Sequence, residues 1–536
     1  MLAPVLGLVV LAFQGTGEIW RHLAAYVLPD ALRQTAMLLS GTAAVAALAG
    51  IGAAWLVTSF DFPGRKWLEW ALLLPLAMPT YIVAYAYADV LHPIGPVQTG
   101  LRMLLGIDEV RGLVFPDIRS MPGCILVMGF ALYPYVYIST RAALLMQSAE
   151  AIEAARGLGA SGSVLIRRVV LPIASPAIGV GLGLVMMEAL ADIGASEFLG
   201  VRTLTVAVYV TWTTRGSVEG AAQIALAILA LTFVLLAVER AMARHRDQGA
   251  GERAPLRRSL TGAMAALATI GCTLPMAVGF AVPTLHLLVN AAIRIAEFGF
   301  PAQLGNWTWN SLRLATLATA TTLCAGFLIA FCQRHLGSPA STLLLRVSAL
   351  GYALPGTVLA VGLLGPMAWF DEAMAIALDH VGRIAVPALS GSAAALVLAY
   401  SLRFLAIPAN TLESAYRSIP STVDDAARGL GAPDRVLAGR IHLPLLSPAA
   451  AASALMVLIE CMKELPATLL LRPLNVETLA TAIYGEASRG TYEEGAVAAL
   501  AIVAVGLIPV VILVRGFKLK ADGRRRSRWR RDRAEA

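Results

Sequence analysis

Glu153-Ala-Ala-Arg-Gly-Leu-Gly159 and Asp425-Ala-Ala-Arg-Gly-Leu-Gly431 are nearly identical stretches of one chain, 272 residues apart (425 − 153). Each leads into a Leu-Pro pair, at Leu171-Pro172 and at Leu443-Pro444. Over the 25 residues that begin at Glu153, 15 are identical to their partners at this constant spacing. The chain is therefore predicted to contain two copies of one structural unit, and the other features must fit that repetition.

Composition predicts a membrane protein. Of the 536 residues, 58% are hydrophobic and only 14% are charged, with a mean hydropathy of +0.72. A span needs about 20 apolar residues to cross the hydrocarbon core. Predicted spans lie near 1–13, 33–58, 67–90, 120–146, 173–191, 221–238, 259–283, 309–332, 343–369, 387–409, 447–465 and 493–514. The fold prediction is an all-α polytopic protein with two parallel six-helix repeats and about 12 transmembrane helices. For the short first run, a signal-peptide segment is the competing interpretation.

The repeats divide the chain into four regions. Residues 1–238 form the first repeat and 259–514 the second, joined by a basic linker, 239–258, and followed by a basic tail, 515–536. Six crossings per repeat place both repeated loops, 147–172 and 410–446, on the same side. Most of the 42 Lys and Arg residues lie on that side, so both loops and the tail are predicted to be cytoplasmic. A basic tail of this kind is typical of membrane topology and gives little support to nucleic-acid binding.

The sequence carries no recognisable catalytic or cofactor motif. None of its four lysines is followed by Ser or Thr, as a phosphate-binding P-loop requires. The five Cys and seven His residues are scattered, without metal-ligand spacing. We therefore predict no cofactor and no metal site, and any ATP hydrolysis is expected in a separate subunit.

Each repeated loop is predicted to contain a short polar helix. The helices run from about Gln147 to Leu158 and from about Leu412 to Leu430. Gly159 and Gly431 can adopt the left-handed conformation that ends a helix. Pro172 and Pro444 suit the first turn of the next span. The loops are expected to present short, small-residue helix faces that a partner protein can approach closely.

The repeated loops resemble the cytoplasmic coupling loop of binding-protein-dependent ABC importer permeases. The resemblance rests on an acid-Ala-Ala motif, a Gly four residues after the second Ala, and a Leu-Pro pair that begins 12 residues after that Gly. The matching residues are Glu153, Ala154, Ala155, Gly159, Val169, Leu171 and Pro172, then Asp425, Ala426, Ala427, Gly431, Ile441, Leu443 and Pro444. The second copy departs from the family pattern in having Asp425 in place of Glu, and the first in having Val169 in place of the usual Ile. In that family the loop docks into the ATPase subunit and transmits its closure.

Other stretches resemble fused two-domain permeases of ferric iron importers. They are Asp61-Phe-Pro-Gly-Arg65, the segments 74–81 and 133–137, and Met462-Lys-Glu-Leu-Pro-Ala-Thr-Leu-Leu-Leu-Arg472. The resemblance implies a multi-pass subunit of the bacterial inner membrane that works with two ABC ATPase copies and a periplasmic solute-binding protein. Ferric iron is the expected substrate. Thiamine, polyamine, sulfate and phosphonate permeases share the loop and remain alternatives.

Four acidic residues are candidates for the pathway. Glu188 and Glu460 match at the same 272 spacing inside spans, where carboxylates are costly and usually face a cavity or a partner. Asp192 and Glu464 lie nearer the outer end, as does Glu197, and suit a gate or a binding-protein contact. A structural interpretation competes for Glu460, because Lys463 is close enough in sequence to pair with it. A proton-coupled secondary carrier, which would use Glu188, Asp192 and Glu460 for proton coupling, is the alternative class of function.

Overall fold

The computed structural model describes residues 2–15, 17–146, 157, 162–243, 257–380 and 387–512. Among these residues, nine helices are long and apolar enough to cross a membrane, or up to 11 if each of two bent helix pairs is one span. The prediction of an all-α polytopic membrane protein is confirmed. The one β element found there pairs β1 (Phe60–Asp61) with β2 (Arg258–Ser259) in parallel. Most of the linker and all of the basic tail lie outside the described residues.

The helices of the described residues divide between the two sequence repeats. The first repeat contains α1 (Leu2–Gln14), α2 (Gly17–His22), α3 (Leu28–Ser59), α4 (Arg65–Ala71), α5 (Thr80–Val90), α6 (Pro96–Leu105), α7 (Met121–Met146), α8 (Gly162–Leu165), α9 (Leu171–Ala191), α10 (Gly194–Phe198), α11 (Leu204–Thr213) and α12 (Val218–Ala243). The second contains α13 (Gly262–Met276), α14 (Val282–Phe298), α15 (Leu304–Leu336), α16 (Pro339–Ala353), α17 (Gly356–Asp379), α18 (Ala393–Phe404), α19 (Ala406–Arg417), α20 (Ser421–Gly429), α21 (Asp434–Val436), α22 (Leu443–Met462), α23 (Pro466–Leu471), α24 (Leu479–Arg489) and α25 (Tyr492–Ile512).

In the described part of the chain, four π-helical turns precede prolines inside long helices. The turns are Leu23–Val27, Ile166–Val170, Ala277–Ala281 and Leu437–His442, and a proline stands two residues after each, at Pro29, Pro172, Pro283 and Pro444. A proline lacks the N–H of the helical ladder, and its ring displaces the carbonyl one turn earlier. A wider turn absorbs that displacement without ending the helix. Pro172 and Pro444 therefore lie in the first turn of α9 and α22, as predicted. Each of these α-helices, however, continues directly from the π-helical turn before it.

The chain folds into two compact units whose boundaries differ from those of the sequence repeats. Unit 1 consists of Met1–Met37, Leu190–Leu235 and Arg294–Ala498. In it, α1 from the first repeat packs along α17 from the second. The backbones approach so closely that a Cβ on Gly362 would lie 2.2 Å from the Pro4 carbonyl oxygen. Close packing of small residues stabilises helix pairs in membranes. At 13 residues, α1 is about 20 Å long, shorter than the hydrocarbon core.

Unit 2 contains the reciprocal arrangement. It consists of Leu38–Ala189, Leu236–Ile293 and Ala499–Ala536. Here the opening helix of the second repeat, α13, packs against α4 and α7 of the first. A Cβ on Gly279 would lie 2.2 Å from the carbonyl oxygen of Phe130 on α7. Each sequence repeat thus places its opening helix against the helices of the other repeat.

Breaks at equivalent prolines divide one span of each repeat. Pro79 immediately precedes α5, and the segment 65–77 is bent by 92° relative to it. Pro355 immediately precedes α17 in the second repeat. The span predicted over 343–369 is therefore not one helix, because α16 ends at Ala353 and the extended Leu354-Pro355 pair separates it from α17.

Candidate functional site

The second repeated loop presents a short helix, α20, with two adjacent carboxylates in different environments. Asp424 is buried, with a relative exposure of 7%, whereas Asp425 is exposed. Ala426 is exposed beside Asp425, and Ala427 is buried on the side of Asp424. The helix therefore has an anchored face and a free face, and the motif acid Asp425 lies on the free one.

Asp424 anchors α20 to two neighbouring elements. Its Oδ2 accepts a hydrogen bond from Arg334 Nε at 3.0 Å, and its Oδ1 lies 2.9 Å from Nε2 of the fully buried His442. Arg334 Nη1 also donates to the carbonyl oxygens of Tyr416 and Ile419, at 3.0 and 2.9 Å. Burial alone would raise the pKa of the Asp424 carboxyl, but the hydrogen bonds from His442 and Arg334 outweigh it and hold the pKa below its usual value.

The C-terminal end of α20 has the glycine conformation that the sequence predicts. Gly431 has φ of +77°, and Ala432 N donates to the Ala427 carbonyl oxygen at 3.0 Å, closing the helix end. Leu430 is left 89% exposed next to it. The predicted helix from Leu412 to Leu430 is in fact two helices, because the chain breaks at Pro420 between α19 and α20.

The first repeated loop can be compared only in part. Glu153, Ala154, Ala155 and Gly159 lie outside the described residues, whereas Leu171 and Pro172 open α9. At the 272 spacing, the positions of Asp424 and His442 are taken by Ile152 and Val170. The sequence of the first loop therefore lacks the acid and the imidazole that anchor α20. The anchor was not predicted from the sequence, although the doubled acid Asp424-Asp425 was a visible signal of it.

The deeper candidate carboxylates occupy half-buried positions on matching helices. On α22, the Oε1 atom of Glu460 lies 2.8 Å from the Nζ atom of Lys463. Glu188 occupies the equivalent place on α9. The pairing expected under the structural interpretation of Glu460 is thus present in the structure. Buried ion pairs of this type serve structure as readily as transport.

Asp192 and Glu464 cap the short helices that follow these spans. They are equivalent at the 272 spacing (464 − 192) and are 9% and 5% exposed. Asp192 Oδ1 accepts from Ala195 N at 2.8 Å, and Glu464 accepts from the Ala467 and Thr468 N–H groups at 2.9 and 3.0 Å. These bonds satisfy the free N–H groups at the start of α10 and α23. Glu464 also accepts from Arg403 Nη1 at 3.2 Å.

The next short helices, α11 and α24, are held by another duplicated set of hydrogen bonds. Thr203 and Thr478 are their N-caps, each accepting from a backbone N–H three residues on. Leu204 N donates to Thr35 Oγ1 on α3, and Leu479 N donates to the Ser311 hydroxyl on α15. These contacts align α11 with α24 at a spacing of 275 (478 − 203). A search at the constant spacing of 272 does not align these two helices, because the spacing between the repeats increases from 272 at Asp192 and Glu464 to 275 at Thr203 and Thr478.

Comparison with known proteins agrees with this duplicated architecture. The family model described as "Binding-protein-dependent transport system inner membrane component" matches twice, over residues 46–248 and 322–522. The chain is 23% identical to the Fe(3+)-transport system permease protein FbpB 2 of Haemophilus influenzae, over 89% of each chain. It is 24% identical to the probable ABC transporter permease protein y4fN of Sinorhizobium fredii, over 90% of this chain and 86% of that protein.

A shorter relative matches over a length close to that of one repeat. The molybdenum transport system permease protein ModB of Escherichia coli K12 is 30% identical over 38% of this chain and 87% of its own length. One repeat here thus corresponds to most of a separate permease subunit. With two matches that together cover most of its length, the chain belongs to the family of binding-protein-dependent transport system inner membrane components, as a fused two-repeat ABC permease, a transport subunit rather than an enzyme.

Proposed function

We propose that this chain forms the translocation pathway of an ATP-driven importer for ferric iron. A periplasmic binding protein delivers the iron, and two copies of an ABC ATPase drive the transport. The chain lies in the bacterial inner membrane, with both repeated loops and the basic tail in the cytoplasm. The Haemophilus relative named as an Fe(3+) permease covers both repeats and supports the choice of cargo.

The observation that carries the proposal is the two-faced geometry of α20. Its buried face is tied to the ends of α15 and α22 through Asp424, Arg334 and His442. Its free face offers Asp425, Ala426 and the exposed Leu430 to a partner. A force applied to the free face reaches two spans through a short chain of hydrogen bonds. This is the arrangement that a coupling helix needs.

The test is copurification of the ATPase. We expect an ATPase subunit with a P-loop to copurify with the tagged wild-type chain in mild detergent and to be lost from Glu153→Arg/Asp425→Arg. Glu109→Arg is the control, because this acid is also exposed but lies outside both repeated loops. Equal recovery of the ATPase with wild type and the Glu153→Arg/Asp425→Arg variant would contradict the proposal.

A further inference from the structure

Tyr209 on α11 and Tyr484 on α24 are equivalent residues of the two repeats. The N-caps Thr203 and Thr478 fix the alignment of these helices at a spacing of 275, and 209 + 275 is 484. The two rings contact each other directly, with centroids 5.9 Å apart and planes at 81°. Two equivalent tyrosines of one chain thus pack edge to face.

A contact between equivalent residues locates the symmetry axis. In a two-fold arrangement, a point and its image lie on opposite sides of the axis at equal distances. Because the two ring centroids are 5.9 Å apart, each lies within about 3 Å of the pseudo-two-fold axis. In parallel-repeat transporters the pathway runs between the repeats along this axis. The tyrosine pair therefore occupies the space that cargo must cross.

A carboxylate breaks the symmetry of the pair. Glu197 Oε2 accepts a hydrogen bond from the Tyr484 hydroxyl at 2.6 Å, while the Phe198 ring packs 5.6 Å from that of Tyr484. The second repeat offers Leu469 or Arg472 at the position of Glu197, depending on the spacing used, and neither is an acid. Glu197 also lines an open cavity of about 690 Å³ with Asp30 and Arg202, from which the carboxylate can be reached.

We propose that Tyr209 and Tyr484 form the gate that closes the pathway at the end opposite the repeated loops, and that the Tyr484–Glu197 hydrogen bond is its latch. The proposal rests on the proposed function for its direction of transport. Opening the gate separates the two rings and breaks the latch, and the Glu197 carboxylate then faces the adjacent cavity. Tyr209 provides the opposing surface without a matching carboxylate, so the two tyrosines have unequal roles.

The first test measures leak of potassium from sealed vesicles that contain the purified transporter without ATP. Tyr484→Phe and Glu197→Leu should raise the leak about tenfold, since loss of one hydrogen bond to a charged group changes the balance of open and closed states by roughly that factor. Tyr87→Phe is the matched control and should stay near the wild-type leak, because it also removes a tyrosine hydroxyl that donates a hydrogen bond, to the Val278 carbonyl oxygen, but lies outside the gate. Wild-type leak from Tyr484→Phe and Glu197→Leu would overturn the latch.

A second measurement tests the gate itself. Tyr209→Cys with Tyr484→Cys, in a chain whose five native cysteines are replaced by serine, is treated with a short, reducible bifunctional thiol reagent. With the ATPase and the iron-loaded binding protein present, uptake of ferric iron driven by ATP should stop after crosslinking and return after reduction. The reagent should not change uptake by either single-cysteine variant. Full uptake by the crosslinked chain would overturn the gate. If wild-type vesicles take up no ferric iron from the loaded binding protein, the proposed function fails, while the potassium leak still tests the gate.

Discussion

At the scale of single residues, Asp424 and Asp425 are neighbours with different roles. Asp424 is buried and paired with Arg334, so removing its charge leaves a buried guanidinium without its carboxylate. We expect Asp424→Asn to reduce the free energy of unfolding by about 3 kcal/mol. Asp425→Asn changes an exposed acid and should leave stability within about 0.5 kcal/mol while weakening ATPase recovery.

Thermal unfolding in detergent and ATPase copurification, measured on both variants, separate these roles. A loss of stability in Asp425→Asn as large as that in Asp424→Asn would contradict the distinction between the anchored face and the free face. Wild-type stability in Asp424→Asn would show that the anchor contributes nothing.

The contribution of Asp424 should also depend on pH. Hydrogen bonds hold its pKa in the folded chain below the usual value, so the folded state favours the charged carboxylate. The stabilisation is then fully present above the unfolded pKa of about 3.9 and is lost as pH falls through the lower folded value. The difference in Tm between wild type and Asp424→Asn should shrink below about pH 4, as the carboxylate of the wild type becomes protonated. A difference that grows on acidification would contradict this assignment.

At the scale of elements, the end of α20 depends on a conformation that favours glycine. Gly431 has φ of +77°, whereas Gly429 lies within the helix and is exposed. We expect Gly431→Ala to cost about 1 kcal/mol because of strain in the left-handed region. Gly429→Ala should be neutral or stabilising by up to about 1 kcal/mol, because alanine is the better helix former.

Uptake assays and thermal unfolding on the two alanine variants provide the comparison. Gly431→Ala should lose both stability and coupling, and Gly429→Ala should retain both. The same loss in both variants would mean that the helix face, rather than its end, is sensitive to added side chains.

Elements could be predicted from sequence where local chemistry decides them. The left-handed Gly431 and the prolines that open α9 and α22 follow from residue type alone. The break between α19 and α20 could have been read from Pro420, but the helical pattern on both sides hid it. Asp192 and Glu464 were predicted to lie near the pathway. Their oxygens accept from backbone N–H groups only three or four residues on, a local capping contact that residue type alone could have indicated.

At the scale of the whole molecule, the exchange of opening helices between repeats is the feature that sequence could not predict. Hydropathy locates α1 and α13, but an apolar helix carries no signal for which neighbour it will contact. Glycines such as Gly362 make the close contact between these helices possible. The sequence alone does not distinguish them from the other glycines of membrane helices. The same holds for Tyr209 and Tyr484, whose equivalence appears only after the caps align their helices.

The packing of α1 on α17 can be tested through Gly362. A Cβ there would meet the Pro4 carbonyl oxygen at 2.2 Å, so Gly362→Val should separate the helices and cost about 3 kcal/mol. Gly52→Val is the matched control, because a Cβ on Gly52, in the long helix α3, meets no atom within 4 Å. Thermal unfolding should distinguish the variants, and equal Tm values would contradict the close approach.

The central claim is that this chain carries ferric iron inward by coupling to ATP hydrolysis at its repeated loops. The most direct measurement is uptake of radiolabelled ferric iron into sealed vesicles holding the chain, its ATPase and the iron-loaded binding protein. We expect uptake that requires ATP and falls to background in Glu153→Arg/Asp425→Arg, whereas a proton gradient alone drives none. Uptake without ATP, driven by a proton gradient and unchanged in that variant, would contradict the account and identify a secondary carrier.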